Sequence, residues 1–275
     1  MIEIPEAIAI AKQLDISIHG KVVKDVVVAQ SPHKWAWYYK DPADYHERLV
    51  GRTMGNSMAF GSFVEADAAP AKLLFSEGVR LRFLEADEKR PKKHQLLLEF
   101  DDASALVASI QMYGGLYCFA EGEFDNPYYR DAKSIPSPLS KEFSRPYFNG
   151  LVSQHRDTNL SVKGFLAAEQ RIPRLGNGVL QDILYNARIH PKRKLKTLTT
   201  GEENALFSSV RSTLKKMAAD GGRDTEKDIF GKDCGYRTSL SRNTLGLPCP
   251  RCGTPIEKAA YMGGTVYFCS VCQKK

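Results

Sequence analysis

Four of the six cysteines stand in a spacing that suits a metal ion. Cys249 and Cys252 form one C-x2-C pair, and Cys269 and Cys272 form a second pair after sixteen intervening residues. Each such turn directs two sulfurs toward one tetrahedral ion, and thiolate ligands suit zinc or iron. The spacing therefore predicts a four-thiolate zinc site, with a pair of disulfides as the alternative in an oxidising compartment.

The opening residues of the chain carry two acids around a proline. Pro5 suits the first turn of a helix, and the pattern predicts a short helix that runs to about Leu14. Glu3 lies at the start of that helix, where an acid is by default a partner of the helix dipole. The local sequence by itself assigns no further role to Glu3 or to Glu6.

The charge is distributed unevenly along the chain. Residues 151–275 carry 21 Lys and Arg against 11 Asp and Glu, a net charge of +10, whereas the first 150 residues carry 18 against 21, a net charge of −3. A basic half joined to a nearly neutral half indicates a polyanion-binding domain attached to another domain. Uneven solvation of surface faces is the alternative, so charge alone leaves nucleic acid binding open.

Composition excludes several classes of protein. The chain has 275 residues, of which 43% are hydrophobic and 26% charged, as in ordinary globular proteins, and this length suggests two domains. No apolar run approaches the roughly 18–20 residues of a membrane helix. The first six residues contain two acids and no basic group, unlike a secretory signal. We therefore expect a cytosolic protein that has no membrane partner.

The elements that must position these groups differ between the two halves. Alternating apolar segments punctuated by Gly, Asp and Pro predict an antiparallel two-layer β domain over about the first 125 residues, with strands at 21–29, 58–64, 73–84, 95–100 and 105–119. The second half is helical. A helix is predicted over 179–188, and a second helix follows a capping box at 200–203.

Three features, taken in order, resemble the bacterial formamidopyrimidine-DNA glycosylase and endonuclease VIII family. They are Glu3 with Pro5-Glu6, then Gly176-Asn177 opening a helix that ends at Ile189-His190-Pro191, and the cysteine tail at 249–273. Together they cover nearly the whole chain. The resemblance implies a fold of α+β multidomain type, with DNA lying across a cleft between its two halves.

The domains implied by the resemblance follow the chain in order. An N-terminal β-sandwich with a short N-terminal helix is expected over 1–130, and a linker over 131–150. A helix-two-turn-helix DNA-binding domain is expected over 151–247, and a four-cysteine zinc finger binding Zn2+ over 248–275.

The activity implied by the resemblance is excision of damaged bases. Members of the family flip a nucleotide into a pocket, where the N-terminal amine attacks the sugar and a glutamate handles protons. The catalytic candidates of this chain are therefore Met1, Ile2, Glu3 and Glu6.

Departures from the family pattern put strand cleavage in doubt. The nucleophilic proline is replaced by Ile2, which should hinder removal of Met1, so the free amine is expected on Met1 instead. The family's hairpin lysine aligns with Ser62, and its zinc-finger arginine aligns with Gly264. A glycine of the helix-start motif is replaced by Arg174. AP-lyase activity is therefore expected to be weak or absent.

The DNA-binding candidates lie at two places in the sequence. Met112 and Tyr113, in a Gln-Met-Tyr-Gly stretch that resembles the wedge of endonuclease VIII, could fill the gap left by a flipped base. The alternative is that Met112 is a core residue of a strand and Tyr113 a half-buried sheet residue. Gly176 and Asn177 open a helix that could hold a phosphate, with Lys163 and Arg174 beside them; a solvated basic face is the alternative here.

Two functions follow from these observations. The first is a DNA glycosylase of base excision repair, acting as a monomer on damaged double-stranded DNA. The second is a protein that binds damaged or abasic DNA without chemistry.

Overall fold

The chain folds into two compact units, as seen in the computed structural model, which describes residues 1–275. The first unit contains Met1–Arg130 together with Glu226–Cys234, and the second contains Asp131–Thr225 together with Gly235–Lys275. Residues 226–234, which the sequence places in the helical domain, therefore belong to the first unit. The chain mixes helices and sheets and ends in a cysteine hairpin, which confirms the predicted fold class.

The first unit is built from nine strands and two helices. The helices are α1 (Ile4–Ile18) and α2 (Tyr45–Leu49). The strands are β1 (Val23–Val28), β2 (Ala36–Tyr38), β3 (Ser57–Phe60), β4 (Phe63–Ala68), β5 (Ala71–Phe75), β6 (Val79–Leu84), β7 (Leu96–Phe100), β8 (Ala105–Ile110) and β9 (Gly114–Ala120).

These strands form two sheets around one core. The order is β1-β7-β8-β6 in the four-stranded sheet and β2-β9-β5-β4-β3 in the five-stranded sheet. All neighbours are antiparallel except β2, which runs parallel to β9. Alternate apolar side chains of both sheets meet in one cluster that also takes in α1, as illustrated by Leu14, Phe75 and Leu98. The predicted two-layer β domain is therefore confirmed, with one parallel pair added.

Three of the predicted strands are each two strands separated by a turn. The predicted strand at 58–64 turns at Gly61-Ser62, and the one at 105–119 turns at residues 111–113. The predicted strand at 73–84 is broken where Gly78 adopts a positive φ of 84°, and a Cβ there would lie 1.7 Å from the carbonyl oxygen of Tyr113. Only glycine fits, and the break transfers the chain from the five-stranded to the four-stranded sheet.

The second unit is helical and ends in a β-hairpin. Its helices are α4 (Arg145–His155), α5 (Val162–Ala167), α6 (Asn177–Asn186) and α7 (Thr200–Ala219), and its hairpin strands are β10 (Glu257–Tyr261) and β11 (Gly264–Phe268). The predicted linker over 131–150 contains the end of α3 (Pro127–Ser134) and the start of α4. None of the helices is long and apolar enough to cross a bilayer.

The capping box of α7 lies one residue before the predicted position. Thr199 is the N-cap: its hydroxyl accepts from the N–H of Glu202 at 3.3 Å, and the Glu202 carboxylate accepts from the N–H of Thr199 at 2.8 Å. Thr200 and Glu203 have the same spacing as Thr199 and Glu202, so the local sequence fits either box and the structure selects the earlier one. The apolar face of α7, including Leu206 and Val210, is buried.

Candidate functional site

The first residues of the chain are fixed by packing and capping. Glu3 is the N-cap of α1 and forms a capping box with Glu6, whose carboxylate accepts from the Glu3 N–H at 3.0 Å. Both carboxylates are buried. The side chain of Ile2 is buried in the sandwich core. The Ile2 side chain therefore packs in the core, and a part for this residue in the chemistry stays a prediction.

The α-amine at the start of the chain is that of Met1. Its α-ammonium group forms an ion pair with the carboxylate of Glu226, and the Met1 residue is 46% exposed. The amine thus lies at the surface of the first unit, near the start of α1 and beside the first residue of the segment Glu226–Cys234. The sequence did not identify Glu226, because 225 positions separate it from Met1.

The segment that carries Glu226 is anchored in the first unit by its own contacts. Ile229 is fully buried in the sandwich core. Its carbonyl accepts from the N–H of Phe83 at 2.7 Å, and its N–H donates to the Gln13 side chain at 3.3 Å. These contacts attach the segment that carries Glu226 to the first unit, three residues along the chain from the carboxylate.

The position of the family's hairpin lysine carries no charge here. Ser62 lies in the tight turn between β3 and β4, next to Gly61 with a φ of 58°. Its side chain is buried, and its hydroxyl has no hydrogen-bond partner. The turn therefore presents no cation to a phosphate.

Three positions that the sequence analysis singled out come together at the start of α6. Gly176 is the N-cap, and the Asn177 amide donates to the carbonyl of Thr265 at 2.8 Å. The Lys163 ammonium donates to the carbonyl of Tyr261 at 2.7 Å. A Cβ on Gly264 would lie 3.5 Å from both the Lys163 Nζ and the Asn177 Nδ2. Lys163, Asn177 and Gly264 are neighbours although 101 positions separate the first from the last.

Lys163 is not part of a solvated basic face. Its side chain is buried, and burial lowers its pKa below the usual range. Arg174 adopts a φ of 61°, a conformation that favours glycine, and its N–H donates to the Gln170 side chain at 2.9 Å. The backbone geometry explains why the family has a glycine where this chain has Arg174.

The turn between β8 and β9 projects a flexible side chain into solvent. Met112 is 62% exposed, which excludes the alternative of a core residue. Tyr113 is half-buried and lies beside Trp37, with ring centroids 5.7 Å apart at an angle of 40°. The turn thus has the exposure that a residue entering a DNA duplex would need.

The four predicted ligand cysteines form one cluster. Their sulfurs all lie within 4.8 Å of one another, at 3.9 Å for Cys249 and Cys272 and 3.4 Å for Cys252 and Cys269. A tetrahedral zinc with bonds of ~2.3 Å separates its sulfurs by about 3.8 Å, so the donor set fits this ion. All four are free thiols, too far apart to be disulfides.

Neighbouring groups orient these sulfurs. The Tyr185 hydroxyl lies 3.2 Å from the Cys249 sulfur, and the Gln273 side chain joins the N–H of Cys269 to the carbonyl of Ile189. The ring of His190 packs edge-on against Phe268 at 4.6 Å, and burial lowers the pKa of His190 to about 4. The hairpin is therefore tied to the end of α6 by polar and aromatic contacts.

Comparison with known proteins identifies relatives over the whole chain. A formamidopyrimidine-DNA glycosylase of Halalkalibacterium halodurans is 29% identical and one of Bacillus licheniformis is 28% identical, each covering 100% of both chains. Among solved structures, the Lactococcus lactis Fpg in complex with abasic-site DNA has a TM-score of 0.84 at 22% identity and covers 99% of this chain. The MutM (Fpg) protein of Thermus thermophilus has a TM-score of 0.81 at 23% identity. No protein-family model matches the chain.

The sandwich unit and the helical unit with its four-cysteine hairpin share the fold of these Fpg structures. Over its whole length the chain is similar to proteins named formamidopyrimidine-DNA glycosylase.

Proposed function

We propose that this protein is a DNA glycosylase that removes damaged bases from duplex DNA. The observation that carries the proposal is the exposed α-amine of Met1, held beside a carboxylate at the start of a helix capped by Glu3 and Glu6. Relatives of full length bear the name of such an enzyme, and a structural neighbour was solved with abasic-site DNA. The reaction is displacement of a base from C1′ of the sugar by an amine.

The residues of the chain have distinct parts in this reaction. The neutral amine of Met1 forms a bond to C1′ as the bond from C1′ to the base breaks, and the base leaves with the electron pair and takes up a proton. The nitrogen of the new bond releases a proton, for which Glu226 is the carboxylate already in contact. Glu3 is the acid that would transfer protons at the sugar, as the family resemblance implies.

Strand cleavage after base release is expected to be weak. Ile2 replaces the family's proline. Ser62 replaces the hairpin lysine and Gly264 replaces the zinc-finger arginine, so both positions are uncharged. The developing charges on the flanking phosphates therefore lack two stabilising partners. The enzyme should therefore release damaged bases and cleave the strand only weakly.

Borohydride trapping tests the amine chemistry. The full-length protein, with retention of Met1 verified by intact mass, is incubated with duplexes carrying an abasic site or a damaged base. A covalent adduct and release of base are expected, and Glu3→Gln should lower release at least about tenfold. Glu47→Gln, an exposed acid in α2, is the matched control.

Binding without chemistry is the second candidate, and one observation favours it. The amine of Met1 is engaged in an ion pair, and an ammonium group is not a nucleophile. If DNA is bound but no adduct forms and no base is released from any duplex, the protein is a binder of damaged DNA. Loss of both binding and trapping would contradict both candidates.

The phosphate-binding part of the site is proposed at the start of α6. Lys163 and Asn177 would contact a phosphate beside the lesion, at a place where the family's finger arginine is missing. The nearby N-terminus of a ten-residue helix adds a favourable dipole. Lys163 would then offset part of the loss of the arginine.

Restoring the arginine tests this placement. A Cβ on Gly264 would make only ordinary van der Waals contacts, so Gly264→Arg should be tolerated and should tighten DNA binding several-fold, with a steeper loss of affinity in salt. Ala260→Arg is the matched control, because it adds the same charge at a neighbouring exposed position of β10. Equal gains from both variants would show a non-specific charge effect.

The metal of the cysteine cluster is proposed to be zinc. Four thiolates at tetrahedral distances leave no open position, so the ion supports the fold of the hairpin and takes no part in the reaction. Metal analysis of the purified protein should give one zinc per chain, and a chain that folds and binds DNA without metal would contradict the assignment.

A further inference from the structure

The first unit exposes a cluster of aromatic and apolar side chains that its core does not use. Trp35 is 51% exposed, Trp37 44% and Met112 62%, and the half-buried Tyr113 contacts the ring of Trp37. We call these four residues the tryptophan platform. Tryptophan is usually well buried, so two exposed tryptophans in one place indicate a surface that contacts a partner.

The platform is held in shape by the sheet beneath it. Trp37 lies on β2, an edge strand that pairs only with β9, and Trp35 lies in the turn just before β2. The carbonyl of Trp35 accepts from the N–H of Gly114 at 3.0 Å. The ring of Trp37 is fixed by its contact with Tyr113 at 5.7 Å. The tryptophans and the exposed turn therefore form one continuous surface.

The charges around the platform favour an anionic partner. The ammonium of Lys34 lies 5.0 Å from the ring of Trp35, and residues 29–40 contain no acid. The positive charge at this place is therefore not offset by an acid in the same segment. Flat apolar rings bordered by lysines are the chemistry that recognises unstacked nucleic acid bases on a phosphate backbone.

We propose that Trp35 and Trp37 stack an unpaired DNA base beside the turn that carries Met112 and Tyr113. The inference rests on the proposed function, because that turn is the part expected to enter the duplex at a lesion. It extends the function to a substrate class: DNA in which bases around the damage are already unpaired, such as bubbles and single-stranded segments. Stacking is insensitive to base identity, so the preference is for unpaired structure and not for a sequence.

The two tryptophans of the platform are the only ones in the chain, which makes the test direct. Tryptophan emission of the full-length protein is measured during titration with two unlabelled duplexes. One carries an abasic analogue within a three-base bubble, and the other carries it in an otherwise paired duplex. Binding of the same duplexes, fluorescein-labelled, is followed separately by anisotropy. The bubble should quench the emission strongly and the paired duplex only weakly.

Substitution then assigns the effect to the rings. Trp35→Ala and Trp37→Ala should each weaken binding of the bubble about tenfold, the size of one base stack, and change binding of the paired duplex less than about twofold. Trp37→Phe should retain most of the affinity, because it keeps an aromatic ring. Met58→Ala is the matched control, a side chain 52% exposed on the opposite edge strand of the same sheet. Thermal melts establish that each variant is folded.

The outcomes separate this inference from the proposed function. If both duplexes bind equally, without quenching and without loss in the alanine variants, the platform does not contact bases and the proposed function stands. If the protein binds neither duplex, the proposed function and the inference both fail. If sedimentation shows a dimer that Trp35→Ala or Trp37→Ala dissociates, the platform is an interface between copies of this chain, and base stacking is overturned.

Discussion

The sandwich of the first unit and the cysteine hairpin of the second are stabilised in different ways. The sandwich buries a large apolar cluster drawn from both sheets, α1 and Ile229. The hairpin has a small cluster of five buried residues, and two of these, Cys249 and Cys269, are members of the metal site. Apolar area stabilises the first region, whereas the second is expected to depend on the proposed zinc. On this proposal the same chain contains one fold that forms without a ligand and one that requires it.

Removal of the metal should produce the largest difference between the two regions. Chelation, or Cys252→Ser, is expected to unfold residues 248–275 and to leave the sandwich folded, because only the hairpin depends on the ion. Hydrogen exchange read by mass spectrometry should show lost protection in the hairpin and unchanged protection in β7 and β8. Cys234→Ser, which alters a cysteine outside the cluster, is the control.

A cavity in the sandwich should have the opposite effect. Leu98 is fully buried on β7, and Leu98→Ala should lower the free energy of unfolding of the first unit by about 2–5 kcal/mol while zinc content stays the same. Urea unfolding and metal analysis measure the two quantities. Leu247→Ala, at a residue 52% exposed, should change stability by less than about 0.5 kcal/mol. A comparable loss of stability in both variants would mean that Leu98 does not contribute more to the core than Leu247.

Acid should weaken the contact between the hairpin and the end of α6, because His190 becomes protonated. Burial lowers the pKa of His190 to about 4, whereas an unfolded histidine titrates near 6.5. His190 is neutral in both states above pH 6.5, so it causes no pH dependence there. As the pH falls from 6.5 to 4, the unfolded chain binds the proton first, and the free energy of unfolding declines by about 3 kcal/mol.

The measurement for His190 is a difference between two proteins. Thermal or urea unfolding of the wild type and of His190→Gln is followed at several pH values between 4 and 8. Protonation of the cysteines is common to both proteins and cancels in the difference. The wild type should lose more stability than the variant below pH 6.5, and parallel curves would exclude a role for His190.

The smallest effect is expected from the hydroxyl beside the metal. Tyr185→Phe removes the contact with the Cys249 sulfur but keeps the ring that stacks under Arg251, so zinc should bind about tenfold more weakly with a stability loss of about 1 kcal/mol. Competition with a chromogenic chelator measures the affinity. Tyr267→Phe, which removes a hydroxyl from the same hairpin, should leave zinc affinity unchanged.

The parts of the structure that the sequence could predict are those set by local spacing. The two C-x2-C pairs predicted the cysteine cluster because each pair forms within one turn. Pro5 and the acids around it predicted α1, and the apolar alternation predicted two β layers. The breaks at Gly61-Ser62 and at residues 111–113 were missed because each turn interrupts the apolar pattern for only two or three residues, which a single longer strand also tolerates.

The contacts that could not be predicted join distant positions. Glu226 lies in an acidic stretch that reads as an ordinary surface loop, and nothing local distinguishes it from Asp224 or Asp228. The approach of Lys163 to Gly264 depends on how the hairpin folds back on α5 and α6. Trp35 and Trp37 lie outside every strand predicted from the sequence, and β2 forms at the sheet edge only because it pairs with the distant β9.

The buried Ile229 has a consequence for any attempt to divide the protein. A fragment ending at Arg130 would lack the nine residues of Glu226–Cys234 and would keep an unfilled hole where Ile229 packs. Such a fragment should be poorly ordered alone and should recover when a synthetic peptide of those nine residues is added. The gene therefore cannot be cut into two autonomous modules at a single point, because one module is discontinuous in the sequence.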